Sequence, residues 1–289
     1  MFTHKISKLP KNTVAIDIKI PKEEIIKASE KAFIKLQGEL AVEGFRKGKV
    51  PKDLAKKHIA KESIYEEMLK NLLPDIYNQI LKKENLKPIT NPKISLNKTK
   101  ENEDWELKIE LAEKPILKLS DYRKIVADVK AGEKKNEIWT PGKDKAKVEE
   151  NAEVKSQRLL NLVLAGIFDA TQFEISDLIV DEEIERRLVK LVDDVQKLGL
   201  TMEAYLKSKN LTQGKLKEQY RKEVDSIYKA DFVLNEIADL EKIQVEEKDL
   251  QALFANIKDE KEKQAAQNNA YFYAGLMRKQ KTLDFLIGL

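Results

Sequence analysis

Apolar residues along this chain keep two different periods, and the point where one replaces the other limits what it can fold into. Val14, Ile16, Ile18 and Ile20 alternate with polar neighbours, and so do Trp105, Leu107, Ile109 and Leu111. Successive side chains of a strand point to opposite faces, so this alternation predicts half-buried strands. After about residue 150 the alternation is gone. Val154, Leu159, Leu160, Val163 and Ile167 recur at helical spacing, as do Val180, Ile184, Leu188, Leu191 and Val195. The expected fold class is an α+β N-terminal domain followed by a mostly α-helical, elongated C-terminal domain.

The punctuation refines this outline. A strand over 14–20 leads through Pro21 into an amphipathic helix over 22–41, with Ile25, Ile26, Ala32, Phe33, Leu36 and Leu40 at helical spacing. Pro51 starts a short helix through His58, and a longer one covers 62–84. Pro74 lies inside the longer pattern and is expected to kink or split it. Strands are expected at 92–98 and 104–112. Residues 115–149, charged and broken by Pro115, Gly132 and Pro141, read as a connector with one strand at 124–130. Thr201 and Thr212 suit helix N-caps. Leu216 to Ile237 and Leu250 to Ile257 mark two further helices, and a last one runs through 271–287. The domain reading is 1–114, a connector, and 150–289.

Much chemistry is excluded. The chain has no cysteine, which removes disulfides, zinc–thiolate sites and thiol nucleophiles. His4 and His58 are read as surface residues, and neither sits in a metal-binding or Ser/His/Asp context. No phosphate-cradling glycine loop is present, so no cofactor is expected, and no metal. Carboxylate runs such as Asp181–Glu183 sit among lysines and read as solvated faces. The start of the chain has no apolar stretch of signal-peptide length, and nothing reaches a membrane span, so a cytoplasmic protein without a membrane partner is expected. The net charge of +4 on 54 basic and 50 acidic residues does not describe a general nucleic-acid binder.

One strip fits neither period. Residues 42–51 read VEGFRKGKVP, with Phe45 among Arg46, Lys47 and Lys49, bracketed by Gly44 and Gly48 and closed by Pro51. Two glycines free the backbone and the proline fixes its exit, which makes a short loop between two helices. Two readings stand. In one, Phe45 folds back as a helix-cap contact and the cations are solvated. In the other, the loop is a docking tip whose ring enters a partner pocket while its cations meet phosphates or carboxylates.

GFRKGKVP at Gly44–Pro51 resembles the ribosome-docking signature of the trigger factor family of bacterial chaperones, Gly-Phe-Arg-x-Gly-x-x-Pro, and meets every fixed position. ENLKPITNPKI at 84–94 is similar to the family's segment at the same place, and residues 153–190 resemble its helix, linker and second helix, with a less clear turn at FEIS, 173–176. The resemblance implies a ribosome-binding N-terminal domain and a helical substrate-binding domain with arms. It implies that Phe45, Arg46 and Lys47 touch a ribosomal protein and RNA at the tunnel exit, with Gly44, Gly48, Lys49 and Pro51 completing the loop. Its partners would be the ribosome, nascent and unfolded polypeptides and, off the ribosome, a second copy. The usual member carries a peptidyl-prolyl isomerase domain of on the order of a hundred residues between the halves. Only 37 residues, 114–150, separate them here, so that domain is expected to be missing and the protein not to be an enzyme.

A chaperone of this kind needs apolar patches on a charged frame. Leu253, Phe254, Ile257, Tyr271, Phe272, Tyr273, Leu276 and Met277 are the candidate client contacts, because YFYAGLM at 271–277 is apolar on more than one helix face. The competing reading makes them ordinary core of the helical domain. The alternatives for the whole chain are a degenerate isomerase, a periplasmic chaperone of the SurA kind, and a stand-alone RNA-binding protein.

Overall fold

The computed structural model describes residues 2–100, 103–136 and 152–289. They form two compact units, one of 1–114 with 176–179 and one of 115–175 with 180–289.

The first unit is built on a four-stranded antiparallel sheet of order β1-β2-β4-β3, from β1 (Thr3–Leu9), β2 (Thr13–Ile20), β3 (Lys93–Lys98) and β4 (Trp105–Ala112). Ile16 pairs with Ile109 and Ile18 with Leu107 across the central strands. That register puts both alternating apolar sets on one face. Helices α1 (Lys22–Glu39) and α3 (Lys61–Glu84) cover this face with Ile25, Ala32, Met68, Ile76 and Ile80. The opposite face carries Lys5, Asp17, Lys19, Glu106 and Lys108, with Lys5 and Lys108 opposite Asp17 and Lys19 opposite Glu106 in the register. Between α1 and α3 lies the short helix α2 (Lys52–His58). Of the kink or split expected at Pro74, the split does not occur, since α3 runs unbroken through it. Pro74 is exposed, so the carbonyl one turn before it can reach water, while buried Met68 and Ile76 hold both halves against the core. Returning to this unit, Ser176 shares a buried 2.8 Å hydrogen bond with Thr13, and the Lys11 ammonium donates to both carboxylate oxygens of Asp177 at 3.0 and 2.9 Å.

The second unit is helical, with α4 (Tyr122–Asn136), α5 (Ala152–Ala170), α6 (Asp177–Lys197), α7 (Met202–Ser208), α8 (Gln213–Leu240), α9 (Glu247–Ala255), α10 (Glu260–Asn268) and α11 (Ala270–Gly288). Its main core joins Tyr122 and Val126 of α4, Val163 and Ile167 of α5, Val233 and Ile237 of α8, and Leu286 of α11. The strand expected at 124–130 is therefore corrected to helix, and 115–136 to part of this unit instead of a connector. Tyr122, Val126 and Val129 stand at i, i+4 and i+7, a helical stripe that buries against α5 and α11 and overrides the strand preference of valine. The remainder of the expected connector, 137–149, lies outside the described residues. Thr201 and Thr212 are N-caps, accepting from the backbone N–H groups of Ala204 and Lys215.

Candidate functional site

The loop between α1 and α2 is held at its base and open at its tip. A small satellite core of Phe33, Val50 and Ala55, with Leu40, Val42, Leu54 and Ile59 against it, anchors both ends. The Gly48 N–H donates to the Leu40 carbonyl at 3.2 Å, and the Gln37 amide donates to the Val50 carbonyl at 2.8 Å. Two turns shape the segment between. Phe45 N–H donates to the Val42 carbonyl at 3.0 Å and Lys49 N–H to the Arg46 carbonyl at 2.9 Å. Gly44 has φ +85° and Gly48 φ +77°, a left-handed backbone that a side chain resists. Gly48 also lies directly on the backbone of Gly38, so both turns need glycine and one of them has no space for anything else.

That frame sets the tip in water. Val50 is 2% exposed and Phe45 is 43% exposed. Phe45 belongs to none of the buried clusters, although it is the larger side chain. Arg46, Lys47, Lys49 and Pro51 are exposed as well, and among the described residues no carboxylate lies within ion-pair distance of the three cations. Each position of the strip is thus placed in one short loop. Sequence reading missed its supports, Gln37, Gly38 and Val50. Val50, an apolar residue between Lys49 and Pro51, was the one signal that the loop is anchored.

The candidate client residues divide. Tyr271, Phe272 and Leu276 are 95%, 62% and 46% exposed on α11. Leu253, Ile257, Tyr273 and Met277 are half-buried. Phe254 is 6% exposed, with its ring edge-on to Tyr273 at 5.7 Å, so it is core of the α9–α11 pair and not surface. Packing two amphipathic helices buries one apolar face, and the fold gives that place to Phe254 and Tyr273 while Tyr271 and Phe272 stay exposed. Further apolar side chains line a cavity of about 210 Å³ between α6, α7 and α8, with Leu188, Val192, Met202 and Leu206 in its wall.

Several titratable groups make contacts inside the fold. His4 is corrected from a surface residue to one largely enclosed, its ring 2.9 Å from the Glu84 carboxylate. Asp181 binds Arg221 between α6 and α8, and Glu183 binds Arg187 one turn on within α6. The Lys22 backbone N–H, and then Lys19, hold the Asp104 carboxyl below its ordinary range. Among the described residues no group of three metal-binding side chains occurs, and no helix is long and apolar enough to cross a membrane.

Two family models match. "Bacterial trigger factor protein (TF)" covers residues 2–140 and "Bacterial trigger factor protein (TF) C-terminus" covers 143–286. Among curated proteins, the trigger factor of Lactococcus lactis subsp. lactis is 34% identical over 116 residues, 40% of this chain and 27% of that protein. The trigger factor of Streptococcus mutans is 31% identical over 153 residues, 53% of this chain and 34% of that protein. The chain therefore spans about a quarter to a third of the length of the curated relatives it matches. A solved trigger factor chaperone, described for "promiscuous substrate recognition in folding and assembly activities", superposes with a TM-score of 0.62 at 16% identity, covering 98% of this chain and 99% of that one. At that identity the likeness is one of fold.

Proposed function

Since the chain belongs to the bacterial trigger factor family, we propose that it is an ATP-independent molecular chaperone that docks at the ribosomal polypeptide exit and shields nascent chains from aggregation. The observation that carries this reading is the loop at 44–51, a half-exposed ring and three unpaired cations on a glycine-shaped turn with an anchored base. Burial of such a ring in a partner pocket contributes roughly 2–3 kcal/mol. Cations near RNA phosphates or carboxylates add attraction that salt weakens. Together they suit a contact of about 8 kcal/mol, or micromolar, which forms and releases without a nucleotide.

Client contact is assigned to the exposed side chains of α11, with Tyr271, Phe272 and Leu276 foremost. Each buries little area, so several are needed for avidity and each releases quickly. Shielding of this kind needs no catalytic group. The two family matches end at 140 and resume at 143, which leaves no room between them for an isomerase domain. Prolyl isomerisation of a short peptide is accordingly expected at the background rate. The deciding experiment is co-sedimentation with bacterial ribosomes at two salt concentrations, comparing the chain with its Phe45→Ala, Arg46→Ala, Lys47→Ala variant. The reading requires the intact chain to pellet and the variant to stay in solution. Equal pelleting of the two would remove the loop from the docking role.

A further inference from the structure

Strand β3 is an edge of the sheet, and the bonds around β4 show which of its backbone groups are free. The Ile89 N–H donates to the Ala112 carbonyl at 3.0 Å, so Ala112 faces the β3 side of β4. Glu113 faces the other side, where its N–H donates to the Asn12 carbonyl at 3.0 Å. Backbone groups alternate in direction along an antiparallel strand, so Glu110 and Lys108 face β3 and bond their partners Lys93 and Ser95. Ile94 and Leu96 therefore turn their N–H and C=O groups outward. Among the described residues no further strand pairs with β3, and no loop or turn bonds to these groups.

The same two residues expose their side chains. Ile94 and Leu96 stand opposite the buried Ile109 and Leu107, on the side that α1 and α3 cover, yet they are 40% and 50% exposed and join no part of the core. The other edge is finished differently, since Phe2 and Ile6 of the β1 side pack on the core and His4 is held by Glu84. At β3 an unpaired ladder and an apolar strip thus coincide, and an extended polypeptide satisfies both at once. A second copy of this chain is a poor occupant. The register shift between Leu96 and Lys98 shortens the ladder, and a second β3 brings Lys93 and Lys98 to the same edge. A strand bearing carboxylates meets no such repulsion. Lys98 is 2.7 Å from Glu103, whereas Lys87 and Lys93 have no carboxylate within ion-pair distance among the described residues.

We propose that the β3 edge captures extended, acid-bearing segments of unfolded polypeptide by strand addition, as a client site separate from α11. That its occupant is a client rests on the chaperone reading above; the strand addition rests on the geometry of β3. Main-chain hydrogen bonds are indifferent to the side chains of the incoming segment, so the site accepts many sequences. Two outward residues before the register shift make a short ladder, so each segment is released quickly.

The test titrates the full chain with a short labelled peptide in which valine alternates with threonine and glutamate, and with its counterpart carrying lysine for glutamate. The variants are Leu96→Pro, which removes an outward donor and is tolerated on an edge strand, Ile94→Ala with Leu96→Ala, which keeps the ladder but not the apolar strip, and Lys93→Glu. Circular dichroism checks that each folds. Leu96→Pro and the double alanine variant should each weaken binding of the glutamate peptide by roughly tenfold. Lys93→Glu should reverse the preference between the two peptides. Amide hydrogen exchange at Ile94 and Leu96 should slow when the glutamate peptide binds, while Lys93 and Ser95 are protected with or without it. Binding that leaves Ile94 and Leu96 unprotected overturns the site and keeps the client reading, with the contact on another surface. Protection of the same amides by raising the protein concentration without peptide overturns it in favour of a second copy. Equal binding of the two peptides, or of neither, also overturns it. If the edge captures the peptide but Leu96→Pro suppresses client aggregation as well as the wild type does, the client role fails and the strand addition stands. Ribosome pelleting is read separately, and its failure defeats the docking reading without touching the edge.

Discussion

The carbonyl oxygen of Gly38 stands 2.7 Å from where a Cβ on Gly48 would be. The clash is with backbone, so no rotamer change relieves it, and φ at Gly48 is +77° as well. At Gly44, φ is +85° but the space around a Cβ is open. Gly44→Ala therefore adds backbone strain alone, about 1–2 kcal/mol. Gly48→Ala adds that strain and pushes the loop off the end of α1. Both variants are expected to weaken ribosome pelleting, Gly48→Ala by roughly tenfold more, for about 1.4 kcal/mol of further loss. The reverse order would place the shape-determining turn at Gly44.

Phe45→Ala separates docking from folding. The ring is 43% exposed and packs into no core cluster, so the melting temperature should hardly move. Ribosome affinity should fall by about 2 kcal/mol, or roughly thirtyfold. A lowered melting temperature with unchanged affinity would show the ring to be a helix-cap contact.

The parts of this fold that were legible in the sequence are those where one side chain in two, or one in three or four, is apolar and buried. Strand β2, the cores of α1, α3, α6 and α8, and the two threonine caps belong there. Strand β1 was not legible, because it is an edge strand whose lysines face water and whose inward set amounts to His4 and Ile6. Helix α10 carries Ala266 as its one buried residue and left no stripe to read. Helix α4 was misread because its β-branched residues imitate a strand. The loop was legible for the opposite reason, since two glycines and a proline leave no regular alternative. Its anchoring by Gln37 and Val50 depends on residues packed across the chain reversal, which no local pattern encodes.

The Tyr122 hydroxyl donates to the Glu241 carboxylate, to which Arg123 also donates at 2.6 Å. The Tyr122 hydrogen bond, then Arg123, lowers the Glu241 pKa below its ordinary 4.5. Burial, then Glu241, raises the Tyr122 pKa above its ordinary 10.0. A lowered carboxyl stabilises the fold above its unfolded value and loses that contribution as pH falls through the folded one. A raised phenol stabilises it below its unfolded value and loses that contribution as pH rises through the folded one. Thermal stability of the helical unit should therefore be flat between those values and fall on both sides. Glu241→Gln should shrink the acid fall, and Tyr122→Phe the alkaline one. Melting curves recorded from pH 3 to 11 check both, and unchanged limbs in the variants would assign the pH response to other groups.

Exposure separates two kinds of aromatic residue in the last helices, and one pair of variants can tell them apart. Phe254 is 6% exposed against Tyr273, and its truncation leaves a cavity between α9 and α11. Phe254→Ala should cost about 3 kcal/mol, a fall of roughly 5–10 °C in the melting temperature of the helical unit. Tyr271 and Phe272 are 95% and 62% exposed, so Tyr271→Ser with Phe272→Ser removes little internal contact beyond the Phe272 ring edge-on to Tyr273. That double variant should melt with the wild type, yet require several-fold more protein to suppress aggregation of an unfolded client. The contrast works because a core residue affects holding only through stability, whereas a client-binding residue affects holding at constant stability. If the double variant holds clients as well as the wild type, the contact surface lies elsewhere on the helical unit. The next place to test is then the apolar cavity between α6, α7 and α8, where Met202→Ser would be the variant to compare.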